Sequence, residues 1–490
     1  MLLTLDGRGP LYQQVYRAVR SAILAGQMPA GSRLAATRSI SRELGISRNV
    51  VLIAYELLIA EGYVTGRAGS GTFVNSLLPD VLSNASNKEF GQRRKFAPKK
   101  SPLSAYAKRT MKLAPQSALA ASLQTHPAAF NFQFGSMSTE DFPHRAWRRI
   151  ITRRVLSSSN TYGPPEGNLE LRKAVGEHLR RSRGVVCDSS QVVIVNGSQQ
   201  AIDIAARVLL NPGDLVVMEN PHYLSARAVF LGASARIVGI PVDSEGLRVS
   251  RVIGDVRRAK LVYVTPSHQF PTGAILALDR RLQLLNWAAK TGAIILEDDY
   301  DGEYRYDDRP LESLQGLDRG ESVIYLGTFS RAISPALRLG YLVVPPKLVK
   351  PFHDAKWLAD RHAPTLPQEV LADFMKEHHF ERYLRRARAR NEKRRAVLLK
   401  SLAAEFGESV SVLGAGAGIH VMVKFKRVPA GKMRLLIANA ADAGVKVHSS
   451  AAYYLNSMPR SELLLGYGGM VESSIAEGIR ILKSVVDGLR

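Results

Sequence analysis

The sequence contains almost no cysteine and no long apolar run. Cys187 is the single cysteine among 490 residues, so no disulfide can form within the chain, which is typical of a protein from a reducing compartment. No apolar run approaches the ~20 residues that span a bilayer. The opening MLLTLDGRGPLYQQVYR lacks the basic leader and apolar stretch of a signal peptide. These absences predict a cytoplasmic protein without a membrane partner.

Acidic residues are also scarce relative to basic ones. The chain has 67 Lys and Arg against 43 Asp and Glu, which gives a formal net charge of +24 and a pI of about 10.1. This excess favours a polyanionic partner, nucleic acid before membrane, although a basic solvated surface would give the same composition. Because the chain is too long for one compact core, at least two domains are expected.

The composition divides the chain into three zones. Residues 8–76 are helix-rich, residues 77–128 are rich in Lys and Arg, and residues 129–490 alternate β-branched runs with helical segments. The middle zone lacks a periodic apolar face and contains prolines and serines, which predicts an extended, flexible basic linker. Its basic residues are Lys88, Arg93, Arg94, Lys95, Lys99, Lys100, Lys108 and Arg109, against the lone acid Glu89.

The third zone shows a regular alternation of strand and helix patterns. The strand candidates are QVVIVNG, DLVVMENP, KLVYVTPS, AIILEDDY and SVIYLGTFS, and helical segments such as SQQAIDIAARVLL and LDRRLQLLNWAAKTG fall between them. This alternation predicts an α/β domain with a large, mainly parallel sheet. Sites in such sheets lie at the carboxyl ends of the strands.

The first zone contains three helical segments followed by a hairpin pattern. The second segment, TRSISRELG, is predicted to be capped by Thr37 and to end at Gly45, and the third, SRNVVLIAYELLIAEG, is predicted to be capped by Ser47. The hairpin YVTGRAGSGTFV has a glycine-rich tip that suits a wing. Helix, turn, helix and wing predict a module that binds double-stranded DNA, and a small three-helix packing module is the alternative.

This zone resembles the GntR-type winged-helix DNA-binding domain along its whole length. The resemblance implies that the third helix, which begins beside Ser47, lies in the major groove. Arg48 and Asn49 would read base edges there, and Ser47 would contact the DNA beside them, while Arg38 would contact phosphate.

The resemblance also implies wing contacts with DNA, and it includes departures from the family pattern. The wing contacts would come from Arg67, Ser70 and Thr72. The segment LAATR replaces the usual Leu-Pro-Ser-Thr-Arg opening. Val50, Ile53 and Leu57 stand where threonine and arginines are common, so the outer face of the third helix contacts either thymine methyl groups or a neighbouring domain.

Residues 160–490 resemble the class I aminotransferases, which have the type I fold of pyridoxal-phosphate enzymes. The resemblance is carried, in order, by YGPPEGNLELRKAV, VIVNGSQQAID, ENPHYLSAR, VTPSHQFPTG, LEDDYDGEYRY and GTFSRAISPALRLGY. Each motif alone has an ordinary structural explanation, such as a capped helix or the end of a buried strand. Six motifs in family order favour the family.

The resemblance implies a phosphate site in this domain. Gly197, Ser198 and Gln199 would open a helix whose N-terminal N–H groups and dipole attract phosphate. Ser330 and Arg338 would complete the site, and the arginine could bind two phosphate oxygens at once.

The resemblance also implies a place for the pyridine ring of pyridoxal phosphate. Tyr223 would stack on the ring, Asp298 would pair with the ring nitrogen, and Tyr300 would bond to the phenolic oxygen. Phe270 stands where the enzymes have asparagine.

A winged helix followed by an aminotransferase-like domain resembles the MocR subfamily of GntR regulators. The subfamily signature GTFS-x-x-x-x-P-x-LR-L-GY has a lysine after its serine, which forms a Schiff base with pyridoxal phosphate. Arg331 occupies that position here. A guanidinium with a pKa above ~12 stays protonated and is not a usable amine nucleophile. Pyridoxal phosphate is therefore expected to bind without a covalent bond, and the domain is expected to be catalytically inactive.

The resemblance implies a homodimeric transcriptional regulator that senses a small effector, either an amine or amino acid or a ligand related to vitamin B6. Two alternatives remain open: an active aminotransferase with an accessory DNA-binding head, and a constitutive DNA-binding protein whose second domain serves only dimerisation. Arg331 argues against the first, as does Leu464 where some relatives have an arginine. The retained pocket residues argue against the second.

Overall fold

The computed structural model describes residues 3–67, 69–76, 103–113, 128–157, 161–306, 312–455 and 460–489. Its contacts divide the chain into two compact units, Met1–Pro102 (unit 1) and Leu103–Arg490 (unit 2). Within the described residues, no helix is both long enough and apolar enough to cross a bilayer.

Unit 1 is a three-helix module with a two-stranded hairpin. Its elements are α1 Leu11–Leu24, α2 Thr37–Leu44, α3 Arg48–Ala60, β1 Val64–Arg67 and β2 Gly71–Val74. The strands are antiparallel, with Val64 opposite Val74. Val15 and Val19 of α1 pack with Leu58 of α3 in one buried cluster, so the hydrophobic face of each helix is turned inward. The predicted winged helix-turn-helix is therefore the observed fold.

The turn between α2 and α3 depends on two specific residues. Gly45 ends α2 in the left-handed region with φ 64°, as predicted. Ser47 caps α3, because its Oγ accepts the backbone N–H of Val50 at 3.4 Å. The prediction that Thr37 caps α2 is wrong. The helix already begins at Thr37, and the preceding Ala36 has no side chain that can accept a capping hydrogen bond.

Part of the predicted linker is helical. Residues Ala105–Lys112 form helix α4, whose first turn is capped by Ser104 Oγ accepting the N–H of Ala107 at 3.1 Å. The Arg109 guanidinium donates to the carbonyl of Gly232 at 2.9 and 3.1 Å. The expectation of an extended, flexible chain is thus wrong for these residues, because they are anchored on unit 2. The rest of the predicted basic run, residues 88–100, lies outside the described residues.

Unit 2 contains helices on both faces of a large sheet. In addition to α4, its described helices are α5 His144–Val155, α6 Leu169–Arg183, α7 Ser198–Leu209, α8 Leu224–Gly232, α9 Val249–Asp255, α10 Leu278–Thr291, α11 Leu314–Leu317, α12 Phe329–Ala332, α13 Val349–Asp360, α14 Thr365–Lys376, α15 His379–Phe406, α16 Met433–Asp442 and α17 Glu472–Asp487. Val216 and Val217 are neighbours on one strand and belong to different buried clusters, so both faces of the sheet are covered.

The strands of unit 2 form one large sheet and smaller ones. They are β3 Phe130–Asn131, β4 Val192–Val195, β5 Leu215–Asn220, β6 Arg236–Asp243, β7 Gly246–Leu247, β8 Leu261–Val264, β9 Ile294–Asp299, β10 Val323–Thr328, β11 Gly340–Val343, β12 Val410–Leu413, β13 His420–Phe425, β14 Val445–Lys446, β15 His448–Ser449 and β16 Glu462–Gly466. The large sheet has the order β4-β11-β10-β9-β8-β5-β6-β7, and the smaller four-stranded sheet has the order β12-β13-β16-β15.

The direction of the strands determines where a site can form. The pairs β10–β9, β9–β8, β8–β5 and β5–β6 are parallel, whereas β11 is antiparallel to both of its neighbours. The predicted α/β fold with a mainly parallel sheet is therefore correct. The carboxyl ends of β4, β5, β8, β9 and β10 meet at one edge, where an α/β sheet binds its ligands.

Candidate nucleic-acid interface and ligand pocket

The predicted DNA-binding residues of the third helix lie together at the start of α3. Ser47, Arg48 and Asn49 are all exposed, and Arg48 Nε is 3.4 Å from Thr37 Oγ1 at the start of α2. Arg38, the predicted phosphate contact, is exposed one residue further along α2. The two helix starts thus present two arginines and an amide on one exposed face, a composition that suits DNA.

The hairpin carries the predicted wing residues. Arg67 and Ser70 are exposed, Thr72 is half-buried, and the Arg67 guanidinium lies 4.9 Å from the centre of the Phe73 ring. Sequence reasoning missed Arg33, which is exposed and packs on the hairpin. Gly71 has φ 110°, which favours glycine, and a Cβ at this position would lie 2.7 Å from Arg33 Nε.

The exposed apolar residues of α3 differ in part from the three that the sequence predicted. Ile53 is 42% exposed, and Leu52, which sequence reasoning missed, is exposed to a similar extent. Val50 and Leu57 are half-buried. Ile59, seven residues after Leu52 on the same face of the helix, is 44% exposed, so three apolar side chains of α3 remain for a contact with DNA or with another domain.

The edge of the large sheet contains a cavity of about 150 Å³. Its lining residues are Phe134, Ser198, Gln199, Tyr223, Tyr263, Thr265, Phe270, Asp298, Tyr300, Thr328, Ser330, Arg331, Pro335 and Arg338. Eight of the nine residues predicted to bind the cofactor are in this set, and the ninth, Gly197, adjoins it beside Arg338. The fold therefore brings together residues from six parts of the sequence.

One end of the pocket has the features of an anion site. Helix α7 begins at Ser198 with its N-terminus at the pocket, and Ser198, Gln199, Ser330 and Arg338 line this end. The guanidinium of Arg338 donates to the carbonyl of Asn196 at 3.0 Å. A helix N-terminus with an adjacent arginine can hold a phosphate through N–H groups and charge.

Gly197, in the turn before α7, lies against Arg338, and hydrogen bonds to Asp360 support the turn. Gly197 has φ 82°, and a Cβ at this position would lie 2.7 Å from Arg338 Nη2. Asp360 Oδ2 accepts the side-chain amides of Asn196 at 2.5 Å and Gln200 at 2.7 Å, and its other oxygen pairs with the fully buried Lys356. Sequence reasoning missed this support, because Asp360 follows the turn by more than 160 residues.

The pocket also contains a carboxyl group with one oxygen that has no hydrogen-bond partner. Asp298 Oδ2 accepts the hydroxyl of Tyr263 at 2.5 Å, whereas Asp298 Oδ1 is buried without a hydrogen-bond partner. Burial raises the pKa of Asp298 to about 7, against the lowering effect of the Tyr263 hydrogen bond. The free oxygen can accept a hydrogen bond from a ligand, which is the role predicted for this residue.

Aromatic rings form the walls of the pocket. Tyr223 lines it at the start of α8, and its ring meets Phe270 edge to face at 5.7 Å. The centre of the Phe270 ring lies 4.9 Å from the centre of the Phe134 ring, and Phe134 is a lining residue that sequence reasoning missed. Tyr300 lines the pocket too, but its hydroxyl lies 3.0 Å from His268 Nδ1 and is thus already engaged. Phe270 cannot donate the hydrogen bond that an asparagine would provide.

Arg331 occupies the position where the family signature has lysine. Its Nη1 donates to the carbonyl of Gly135 at 2.7 Å, and its guanidinium carbon lies 4.6 Å from the centre of the Phe134 ring. Burial lowers the pKa of Arg331, whereas Tyr223 and the acidic residue Asp301 act in the opposite direction. The side chain is therefore fixed as a cation beside the pocket.

These features fit the phosphate, the ring nitrogen and the ring face of pyridoxal phosphate, whereas Phe270 offers no hydrogen bond to its phenolic oxygen. The helix N-terminus and Arg338 suit the phosphate, the free oxygen of Asp298 suits a protonated ring nitrogen, and Tyr223 supplies an aromatic face. Position 331 supplies no amine for a covalent bond. Leu464, at the position where some relatives have arginine, is fully buried in β16.

Comparison with known families assigns both units. Residues 11–74 match the family of bacterial regulatory proteins, gntR family, and residues 130–457 match aminotransferase class I and II. The second match covers most of unit 2, including every residue that lines the pocket.

Individual proteins match this chain over most of its length. The chain is 36% identical over 488 residues, 99% of its length and 95% of the relative's, to the probable rhizopine catabolism regulatory protein MocR of Rhizobium meliloti. It is 33% identical over 400 residues, 81% of its length and 80% of the relative's, to the HTH-type transcriptional regulator TauR of Rhodobacter capsulatus. The crystal structure of a multiple substrate aminotransferase from Thermococcus profundus matches 79% of this chain and 97% of its own, with a TM-score of 0.71 and 26% identity. The chain therefore belongs to the MocR-type GntR family of transcriptional regulators, which join a winged helix-turn-helix to an aminotransferase-like domain.

Proposed function

We propose that this regulator is a cytoplasmic homodimer that binds operator DNA through unit 1 and a small effector through the pocket of unit 2, without catalysing transamination. Membership of the family supports DNA binding, as do the exposed residues Arg38, Arg48 and Asn49 at the starts of two helices. The dimer is proposed from the resemblance to MocR-type regulators alone.

Arg331 carries the proposal that the pocket senses rather than catalyses. Pyridoxal phosphate, when bound, supplies an electrophilic aldehyde and a ring that withdraws electrons. Its use in transamination requires a lysine amine, and none of the described residues that line the pocket is a lysine. The guanidinium of Arg331 is held by Gly135 and Phe134 and cannot act as a nucleophile.

The remaining side chains support reversible binding of a phosphorylated, B6-related ligand. Ser198, Ser330 and Arg338 would bind its phosphate, and Asp298 Oδ1 would accept a hydrogen bond from the protonated ring nitrogen. Stacking on Tyr223 would add about 0.5–1.5 kcal/mol. Without a covalent bond, the ligand should leave on dialysis.

The DNA-binding half is tested with the full chain and a pool of random duplex DNA. Repeated selection should enrich one sequence, and affinity for it should fall with salt, with a slope of about −0.9 per phosphate neutralised. Failure to enrich any sequence above the starting pool would contradict an operator-binding function.

The effector-binding half is tested with pyridoxal phosphate itself. Adding it to the chain bound to the selected duplex should change DNA affinity, and dialysis should reverse the change. An identical DNA affinity at saturating pyridoxal phosphate, with the pocket shown to be occupied by absorbance, would contradict its role as an effector and leave the DNA-binding half standing.

A further inference from the structure

Three ligand-type side chains meet in the interior of unit 2 beside the pocket. His268 follows β8, Asp301 follows β9, and His420 begins β13 of the smaller sheet. All three are buried, and one ligand atom from each lies within 4.8 Å of the other two. Because β8 and β9 are adjacent and parallel, their carboxyl ends bring His268 and Asp301 together, and β13 adds the third group.

The hydrogen bonds of His420 leave one of its nitrogens free. Its Nε2 lies 3.3 Å from the carbonyl of Pro271, which can only accept, so Nε2 carries the proton. Its Nδ1 then has a lone pair, and this atom is buried without a hydrogen-bond partner. A backbone carbonyl that orients the far nitrogen of an imidazole is the usual outer support of a metal-bound histidine.

His268 turns its Nδ1 toward Asp301, the second member of the cluster. Its Nδ1 lies 2.8 Å from Asp301 Oδ2 and 3.0 Å from the hydroxyl of Tyr300, whereas its Nε2 is buried without a partner. An ordinary buried His–Asp pair explains the first contact. It does not explain why His420 Nδ1 is left without a donor in the interior, where an unsatisfied polar atom costs about 1–3 kcal/mol. A cation that shares this nitrogen with His268 Nδ1 and Asp301 Oδ2 would account for it.

We propose that His268, Asp301 and His420 bind a divalent transition-metal cation of the zinc and cobalt class. Two imidazoles and one carboxylate are ligands that such ions prefer, whereas magnesium and calcium prefer oxygen. Arg331 is close enough to act electrostatically on both Asp301 and His420. A second positive charge must therefore be held by coordination to nitrogen rather than by general attraction, which again favours a transition metal.

The site adjoins the ligand pocket through Tyr300. This residue lines the pocket, and its hydroxyl contacts His268. The bound cation would fix the orientation of His268 and thereby the position of the Tyr300 hydroxyl. The metal would thus act as a positioning element for the pocket, and its binding does not depend on pyridoxal phosphate.

The test uses the full chain without an affinity tag, freed of metal by a chelator and then titrated with Co²⁺. We expect one cobalt per chain to remain after gel filtration, with the visible absorption bands of a cobalt ion coordinated by nitrogen and oxygen. Bound cobalt should also raise the melting temperature. Asp301→Asn and His420→Gln should each weaken retention at least about tenfold, since even outer partners of metal ligands change affinity by about 10–100-fold.

His222→Gln is the matched control. His222 is also buried with both ring nitrogens unpaired, but it is not part of the cluster, so its replacement should leave cobalt retention unchanged. Circular dichroism checks that each variant is folded. If His420→Gln does not fold, the nearly isosteric Asp301→Asn variant tests the site by itself. Less than one tenth of a cobalt per wild-type chain, or retention that is equal in wild type and Asp301→Asn, would overturn the proposal.

Discussion

Replacing Asp360 by alanine should destabilise unit 2 far more than removing a similar ion pair from the same helix. The Asp360 carboxylate pairs with Lys356, whose side chain is fully buried, and accepts the amides of Asn196 and Gln200. Removing one partner of a buried pair leaves an uncompensated charge and costs about 3–5 kcal/mol. Asp354 is the matched control. It pairs with Lys350 at the same i,i+4 spacing on α13, but both side chains are exposed.

The control predicts a much smaller effect, which makes the comparison decisive. Asp354→Ala should cost about 0.3–0.5 kcal/mol, the usual value for an exposed helical pair. Urea unfolding followed by tryptophan fluorescence reports unit 2 alone, because all three tryptophans, Trp147, Trp287 and Trp357, lie in it. Equal losses in the two variants would refute the reasoning that burial of Lys356 sets the cost.

The pH dependence of the Asp360→Ala variant gives a second check. Burial lowers the pKa of Lys356, and Asp360 opposes that shift. Without Asp360 the folded pKa falls further below the unfolded value of about 10.4, so the unfolded chain binds more protons in the alkaline range. Stability of the variant should therefore rise with pH there, and its deficit should shrink.

The same variant should weaken phosphate binding selectively. Asp360 holds the Asn196–Gly197 turn in place beneath the start of α7, so its loss should loosen the anion site and leave the aromatic walls unchanged. Affinity for pyridoxal phosphate should fall, whereas affinity for pyridoxal, which lacks the phosphate, should not. Equal losses for both ligands would show that the whole pocket had been disturbed.

Three further predictions concern the two units separately. Arg48→Ala should weaken binding to the selected duplex by about 1–3 kcal/mol, whereas Arg8→Ala, outside the helix-turn-helix and wing, should not, as measured by fluorescence anisotropy. Affinity for pyridoxal phosphate should fall as the pH is lowered through about 7. The raised pKa of Asp298 makes its carboxyl group neutral below that pH, and a neutral acid cannot pair with a protonated ring nitrogen. Equilibrium dialysis across a pH series checks this. Leu58 is fully buried in unit 1, so Leu58→Ala should lower the free energy of unfolding by about 2–5 kcal/mol. Leu52 is 43% exposed, so Leu52→Ala should lower it by less than about 0.5 kcal/mol. Thermal unfolding of residues 1–76 within the full chain, followed by circular dichroism, measures both.

Local sequence patterns were sufficient to predict the elements that frame the pocket. Each predicted strand of the large sheet is an apolar, β-branched run between turn residues. Because both of its faces are buried, the run contains no polar residues in a competing periodic pattern. Ser47 and Gly45 were predictable for the same reason, because caps act within a few residues. Thr37 was misplaced by a single position, which is the usual uncertainty of a helix start.

Contacts between distant residues were not predictable from local patterns. The hydrogen bond from Tyr263 to Asp298 requires that β8 and β9 be neighbours in a given register, and periodicity does not contain that information. Helix α4 was missed because an eight-residue helix is marginal by itself and is stabilised here by Arg109 bonding to Gly232. The meeting of His268 with His420 likewise depends on how two sheets pack.

The central claim is that position 331 binds no cofactor covalently, and borohydride reduction tests it most directly. Wild-type protein and the Arg331→Lys variant are incubated with pyridoxal phosphate, reduced, digested and analysed by mass spectrometry of the peptides that line the pocket. We expect no pyridoxyl group on any pocket peptide of the wild type, and a pyridoxyl-lysine at position 331 in Arg331→Lys. A stable pyridoxyl group on a pocket lysine of the wild-type protein would contradict the account.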